Sequence, residues 1–162
     1  MAQDLAEFER WMVRVMQGLE PARRRAAALK LAQALRRANL ARIAANIESD
    51  GSAMPPRKAS MGQRGRLRRK AGAKMFRRLR LTRSWKIGAD ADGLELMPAS
   101  PAIDRIAAVH HFGELARVGR LGNGRVIRTR YTERRLLGFS ADDNAQALEV
   151  AASLLGFGGE AG

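Results

Sequence analysis

The 162-residue chain contains no cysteine and two histidines. The absence of cysteine excludes a disulfide framework, a thiol nucleophile and a cysteine-based zinc site, and it is typical of a reducing compartment. His110 and His111 are adjacent in the sequence, and neighbouring residues of a helix point about 100° apart. They therefore lack the i, i+4 spacing with which two histidines bind one tetrahedral metal. We expect no metal centre and no cofactor.

Long apolar runs are also missing. No uncharged apolar stretch approaches the roughly 18 to 20 residues that a membrane-spanning helix needs. The start of the chain, Met1 to Asp4, is polar and acidic and lacks the basic-then-apolar pattern of a secretion signal. We expect a soluble protein with no membrane partner.

Sequence signatures of catalysis are absent as well. There is no Gly-x-Ser-x-Gly turn for a serine nucleophile and no Gly-x-x-x-x-Gly-Lys-Ser/Thr phosphate loop. The glycines at 122 and 124 are followed by Arg-Val-Ile and not by a helix start. Most carboxylates lie where helix caps and turns explain them, and no two form an obvious acid–base pair. We expect that the protein is not an enzyme.

Positive charge is what the chain has in excess. Thirty Lys and Arg face sixteen Asp and Glu, which gives a formal net charge of +14. Residues 51–89, here called the acid-free segment, contain thirteen Lys or Arg and no Asp or Glu. Arginine makes planar, bidentate contacts with both carboxylates and phosphates, so an acidic protein surface and a nucleic acid both remain possible partners. A solvated, solubilising arm is the simpler alternative.

The basic side chains expected to contact such a partner are Arg57, Lys58, Arg64, Arg66, Arg68, Arg69, Lys74, Arg77, Arg78 and Arg80. Apolar residues recur every four positions from Leu67 to Leu79, which predicts a short basic helix over 67–81. Met75, Phe76 and Leu79 are the expected interface anchors of that helix.

Periodicity and capping signals predict α+β secondary structure. A helical hairpin is expected at the N-terminus, followed by two strands, a helix from Pro101 to about Gly113, a third strand and a last helix. Gly, Pro and Ser in 51–66 and Arg and Gly in 114–130 predict two extended or flexible arms. The remaining predicted ranges are helices 4–18 and 21–48, strands 84–89, 93–98 and 134–139, a helix from 142 to 156 and a disordered tail 157–162.

These elements predict one domain, 1–162, in which helices cover a small antiparallel sheet of three strands. Such a sheet has exposed edges, and edges of this kind are commonly covered by a second subunit. An oligomeric ring that continues the sheet between subunits is therefore physically plausible.

Four groups of residues resemble the phage virion morphogenesis family, also called the phage tail completion proteins. The likeness covers nearly the whole chain. The groups are Pro21–Arg25; Asp50–Ser52 with Pro56–Lys58; Lys74–Arg80; and Ile106–Gly113 with Arg135–Ser140. The motif positions in the last group are His110, Phe112, Gly113, Leu137, Gly138 and Phe139. His111 replaces the family's usual glutamine, and Tyr131–Arg134 lacks the family's usual proline.

The resemblance implies a structural subunit of the virion, with a fold similar to neck and tail-terminator proteins, that completes the tail or joins it to the head. Related proteins form rings, commonly hexamers, so the implied partners are further copies of this chain and the tail-tube and head-connector proteins, with genome DNA in the channel as a further candidate. The implied location is the tail or neck of the virion, after assembly in the host cytoplasm. The alternative from another class is a basic protein that binds nucleic acid without sequence specificity.

Overall fold

The computed structural model describes residues 20–56 and 75–154. Outside these residues lie the predicted helix 4–18, the predicted tail 157–162 and most of the predicted arm 51–66. The described elements are helix α1 (Pro21–Ala45), strands β1 (Trp85–Ala89) and β2 (Leu94–Pro98), helix α2 (Pro101–His111), strands β3 (Leu115–Arg120) and β4 (Val126–Arg130), and helix α3 (Ala141–Leu154). This mixture of helices and small antiparallel sheets agrees with the predicted α+β class.

Helix α1 is the element on which the rest of the fold packs. It begins at Pro21, whose fixed φ suits the first turn, and it ends at Asn46, which adopts the left-handed conformation with φ 57°. Its buried side chains include Leu35, Leu40 and Ile43, and this face contacts both strands of the first hairpin and helix α3. Ile47, which lies within the predicted helix 21–48 but beyond the end of α1, is 37% exposed.

Strands β1 and β2 form the predicted antiparallel hairpin, with Trp85 opposite Pro98 and Ala89 opposite Leu94. The turn is held by Asp90, whose Oδ1 accepts from the backbone N–H groups of Asp92 and Gly93, each at 2.8 Å. Helix α2 follows with the predicted cap, since the Oγ of Ser100 accepts from the N–H of Ile103 at 3.4 Å. Sequence signals within a few residues were sufficient to predict the β1–β2 hairpin and the start of α2.

The second sheet lies within residues 114–130, the range predicted as an extended or flexible arm. These residues form the antiparallel hairpin β3–β4, with an irregularity between Arg117 and Gly119. Every residue of β4 is exposed. The two strands pack extensively on each other, and neither makes a comparably extensive contact with another described helix or strand. The described sheets are therefore two separate two-stranded hairpins, and the predicted three-stranded sheet is wrong for this part of the chain.

Two further predictions fail for identifiable reasons. Residues 134–139 form no strand, because their backbone N–H groups donate elsewhere: Arg134 to the carbonyl of His110, Arg135 to Glu48 and Gly138 to Asn39. Residues 75–81, the described part of the predicted short helix, form turns before a 3₁₀ segment, Thr82–Ser84. The left-handed conformation of Phe76, with φ 56°, is incompatible with a continuing α-helix.

The core lies between α1, the first hairpin and the irregular segments. It contains Leu40, Ile43, Met54, Leu79, Trp85, Ala107 and Leu136. The indole N–H of Trp85 donates to the carbonyl of Leu79 at 2.6 Å, so burial leaves this polar group satisfied. Met54, in the described part of the predicted arm 51–66, is 4% exposed and belongs to the core. No helix within 20–56 or 75–154 is long and apolar enough to cross a bilayer.

Candidate assembly surface

Arg134 holds the point at which the chain enters residues 57–74. Its side chain is 4% exposed. It donates from Nε to the carbonyl of Pro55 at 2.7 Å and from Nη2 to the carbonyl of Pro56 at 3.0 Å. Nη1 also donates to the carbonyl of Thr132 at 3.2 Å. A planar guanidinium that binds three carbonyls fixes Pro55 and Pro56 to the segment after β4.

His110 holds the point at which the chain returns from residues 57–74. Its ring makes an edge contact with Phe76, with centroids 5.0 Å apart, and a second with Tyr131 at 4.9 Å. Its carbonyl accepts from the backbone N–H of Arg134 at 2.8 Å. The two ends of the intervening segment are therefore fastened to adjoining residues of one surface.

Gly113 allows the chain to turn from α2 to this surface. Its φ is +63°, a conformation that residues with a side chain adopt at a cost. A Cβ at this position would lie 3.0 Å from the backbone nitrogen of Glu133 and 3.1 Å from the carbonyl oxygen of Tyr131. The motif glycine is thus explained both by the conformation of its own backbone and by the close approach of another segment.

Arg42 organises the neighbouring motif around Gly138. Its Nη2 lies 2.7 Å from Oδ2 of Asp143 and donates to the carbonyl of Gly138 at 2.9 Å, while Nη1 donates to the hydroxyl of Ser140 at 3.2 Å. The amide oxygen of Asn39 accepts from the N–H of Gly138 at 3.0 Å. The structure thus pairs Arg42, a residue of α1, with α3.

Asp143 is buried, at 3% exposure of its side chain. Burial by itself raises the pKa of this carboxyl, but the hydrogen bond and charge of Arg42 and the donors of Ser140 outweigh that effect, so the pKa lies below its ordinary value. Ser140 and Asp143 cap α3 reciprocally: Asp143 accepts from the N–H of Ser140 at 2.9 Å, and Ser140 accepts from the N–H of Asp143 at 3.2 Å. At neutral pH the site therefore contains a buried ion pair.

The motif residues divide into those that build this framework and those that it leaves exposed. A Cβ at Gly138 would lie 2.8 Å from the Cβ of Ser49, so this position admits no larger residue without movement. Leu137 is half-buried against the core. Phe112 and Phe139 are 66% and 67% exposed. Because most of each ring is in contact with solvent, these two phenylalanines are candidates for contact with another molecule.

The predicted basic residues are only partly described. Arg57, Lys58, Arg64, Arg66, Arg68, Arg69 and Lys74 lie outside the described residues. Arg77 and Arg78 are exposed and Arg80 is half-buried. Leu79, one of the three predicted interface anchors, is 1% exposed and packs in the protein's own core. Met75 and Phe76 are half-buried and pack against the same core.

Sequence analysis missed two features: the roles of Arg134 and Arg42, and the existence of the hairpin β3–β4. Arg134 and Arg42 looked like two more members of a basic composition, and no local pattern distinguishes a buried arginine from an exposed one. For β3–β4 a signal was present, since Gly122, Asn123 and Gly124 are typical hairpin-turn residues.

Within 20–56 and 75–154 there is no group of three His, Cys, Asp or Glu side chains that could bind a metal. A groove of about 200 Å³ between α1, α3 and the β1–β2 turn is lined mainly by small apolar side chains, with Arg24 and Asp92 among its polar residues. Such a groove can bind an apolar surface but supplies no paired acid and base.

Comparison with known proteins agrees with the resemblance in the sequence. A model of the phage virion morphogenesis family matches residues 3–156. The chain is 29% identical over 150 residues to tail completion protein S of Escherichia phage P2, an alignment that covers 91% of this chain and 94% of that protein. No solved structure matched.

Proposed function

Because this chain belongs to the phage virion morphogenesis family, we propose that it completes the tail, or joins the tail to the head, as a subunit of an oligomeric ring. The observation that carries the proposal is the family match over residues 3–156. The ring, its copy number of six and its place in the neck or at the tail end are parts of the proposal. Its location is the virion, reached by assembly in the host cytoplasm.

The way in which Arg134 and His110 fasten both ends of residues 57–74 supports a docking mechanism. These eighteen positions carry eight Lys or Arg and no acidic residue. Pro56 and Phe76, on either side of this segment, are held at adjoining points of the described surface. In the proposed mechanism the segment binds acidic surfaces of neighbouring tail-tube or head-connector proteins, or genome DNA in the channel, and no reaction is catalysed.

Exposed Phe112 and Phe139 support the same mechanism. Aromatic side chains are enriched at the centres of protein interfaces, where they bury large areas. In a monomer these two rings cost free energy by remaining in water, and in a complex they become anchors. The positive charge would then accelerate and orient docking, while the rings would supply much of the affinity.

The experiment that tests this proposal uses the full-length protein. Analytical ultracentrifugation and negative-stain images give its oligomeric state, and cosedimentation with tails assembled without it gives its binding. We expect ring-shaped oligomers and saturable binding to tails. Replacement of Arg64, Arg66, Arg68 and Arg69 by Gln should weaken tail binding at least tenfold. The matched control replaces four exposed basic residues of α1, Arg23, Arg25, Lys30 and Arg37, by Gln and should bind normally. A monomer that ignores the tails would overturn the proposal.

A second candidate function, binding of nucleic acid without sequence specificity, is favoured by the acid-free segment itself. Each arginine that neutralises a phosphate releases counterions, so binding of this kind weakens steeply as salt rises. A filter-binding assay with duplex DNA at several salt concentrations separates the two functions. Submicromolar, strongly salt-dependent affinity together with the absence of rings would favour the second function.

A further inference from the structure

The hairpin β3–β4 presents four arginines on one face. In an antiparallel pair, residues directly opposite each other share a face, as do alternate residues along one strand. Arg128 lies opposite Arg117, and Arg130 lies two residues along the same strand from Arg128. Val126, two residues before Arg128, lies opposite Arg120. Arg117, Arg120, Arg128 and Arg130 therefore lie on one face, together with Leu115 and Val126.

This face has the properties of an interaction surface. All four arginines are exposed, and Leu115 and Val126 are 55% and 38% exposed. No acidic residue occurs from 115 to 132. Arg117 and Arg128 are directly opposite, an arrangement in which like charges destabilise a strand pair. A bound anionic group between them would remove that repulsion. The apolar side chains among the arginines indicate a protein partner, because phosphate recognition makes no use of them.

Helix α3 offers the complementary surface. From residue 141 to the end of the sequence the chain has four acidic residues and no Lys or Arg. Asp142 and Glu149 are exposed and seven residues apart, which places them on one side of the helix about 10 Å from each other. Leu148, about 100° around the helix from Glu149, is 65% exposed and borders this side. The arginine face extends about 14 Å along the strand from Val126 to Arg130, so both carboxylates fall within its length.

We propose that the arginine face of β3–β4 in one copy of this chain docks on α3 of the next copy. Arginine side chains would bind Asp142 and Glu149, and Leu115 and Val126 would pack near Leu148. The two surfaces belong to different elements, so the contact is heterologous and continues from copy to copy until it closes. It explains how a chain of net charge +14 associates with itself. The inference deepens the proposed ring and rests on it.

The test uses charge reversal in the full-length protein. One variant carries Arg117→Glu and Arg128→Glu, and the other carries Asp142→Lys and Glu149→Lys. The first variant keeps a like-charge pair across the hairpin, so the repulsion between the strands is retained. Each variant alone should associate at least tenfold more weakly than wild type in sedimentation equilibrium. An equimolar mixture should associate within about threefold of wild type, because each reversed surface then meets its opposite in the other variant.

The control variant carries Arg83→Glu and Arg105→Glu, which changes the net charge by the same amount at exposed arginines outside the hairpin. It should associate like wild type. Circular dichroism checks that all variants fold. If either reversal impairs folding, the milder pairs Arg117→Gln with Arg128→Gln and Asp142→Asn with Glu149→Gln replace them and should still weaken association severalfold.

The outcomes separate this contact from the ring. Wild-type oligomers that survive both reversals, or variants that mixing fails to restore, overturn the contact and leave the ring intact. A wild type that is monomeric at every concentration overturns the ring and the contact with it. If Arg117→Glu with Arg128→Glu abolishes binding to duplex DNA and leaves association unchanged, the hairpin binds nucleic acid and the contact is wrong.

Discussion

Nη2 of Arg42 lies 2.7 Å from Oδ2 of Asp143 and ties the C-terminal part of α1 to the first turn of α3. The same guanidinium donates to the carbonyl of Gly138. One arginine of α1 therefore fixes both the segment before α3 and the first turn of α3. The proposed docking surface on α3 depends on this attachment, because it positions the helix relative to the rest of the fold.

Replacement of Asp143 by Asn tests this ion pair. The variant should lose about 2 kcal/mol of unfolding free energy at pH 7, because the half-buried charge of Arg42 loses its carboxylate partner. Since the pKa of Asp143 is lowered in the folded state, its stabilisation is present above the ordinary aspartate pKa and is lost as pH falls through the lowered pKa. Urea unfolding at pH 7, 5 and 3 should therefore show the two proteins converging at the lowest pH.

The matched control is Asp142→Asn, one residue earlier and exposed. It should cost less than about 1 kcal/mol, since it removes only a favourable charge near a helix N-terminus. A difference between Asp143→Asn and wild type that is as large at pH 3 as at pH 7 would contradict the ion-pair account.

Arg134 should be intolerant of lysine. An ammonium group cannot reproduce a planar fork that binds the carbonyls of Pro55, Pro56 and Thr132. We expect Arg134→Lys to lower the unfolding free energy by about 2 kcal/mol and to speed amide hydrogen exchange at Met54. The exposed neighbour offers the control Arg135→Lys, which should change stability by less than about 1 kcal/mol. Equal losses of unfolding free energy in Arg134→Lys and Arg135→Lys would show that the three hydrogen bonds of the Arg134 guanidinium are unimportant.

Gly113→Ala should destabilise the protein by about 2 kcal/mol or more, because the left-handed backbone and the contact with Glu133 both disfavour a Cβ. Gly122→Ala is the matched control. Its φ lies outside the left-handed range and a Cβ there meets no atom within 4 Å, so the change should be below about 0.5 kcal/mol. Thermal unfolding of both variants measures the difference, and similar melting temperatures would refute the explanation.

Phe112 and Phe139 should matter for assembly and not for folding. Replacement of both by Ser should leave the unfolding free energy within about 0.5 kcal/mol of wild type, because both rings are exposed. Binding to tails that lack the protein should weaken at least tenfold. The control Phe→Leu at both positions keeps apolar surface and should lose less. Normal tail binding by the Ser variant would remove these residues from the proposed interface.

Elements whose determinants are local were predictable from the sequence. The turn at Asp90, the cap at Ser100 and the acidic start of α3 after Ser140 each contain within a few residues the hydrogen bonds that form them. Strands β3 and β4 were missed because both of their faces are exposed, so no alternation of apolar and polar residues marks them. Only the turn residues around Gly122 and Gly124 indicated a hairpin.

Elements whose determinants are distant were not predictable. Residues 134–139 have the composition of a strand, but the side chains of Asn39 and Glu48 take their backbone N–H groups. The framework of the candidate site likewise joins Arg134 to Pro55 and Arg42 to Gly138, pairs separated by 79 and 96 positions. Charge and the family motif indicated which segments matter, but only the fold shows which arginines build the surface and which are exposed on it.

The proposal that this chain is a docking subunit of the tail is tested most directly by complementation in vitro. Particles assembled without the protein are mixed with the purified wild-type chain, and infectious titre is measured against the amount of protein added. We expect titre to rise and saturate, and the variant with Arg64, Arg66, Arg68 and Arg69 replaced by Gln to require at least tenfold more protein. A titre that does not change with any amount of folded wild-type protein would contradict the account.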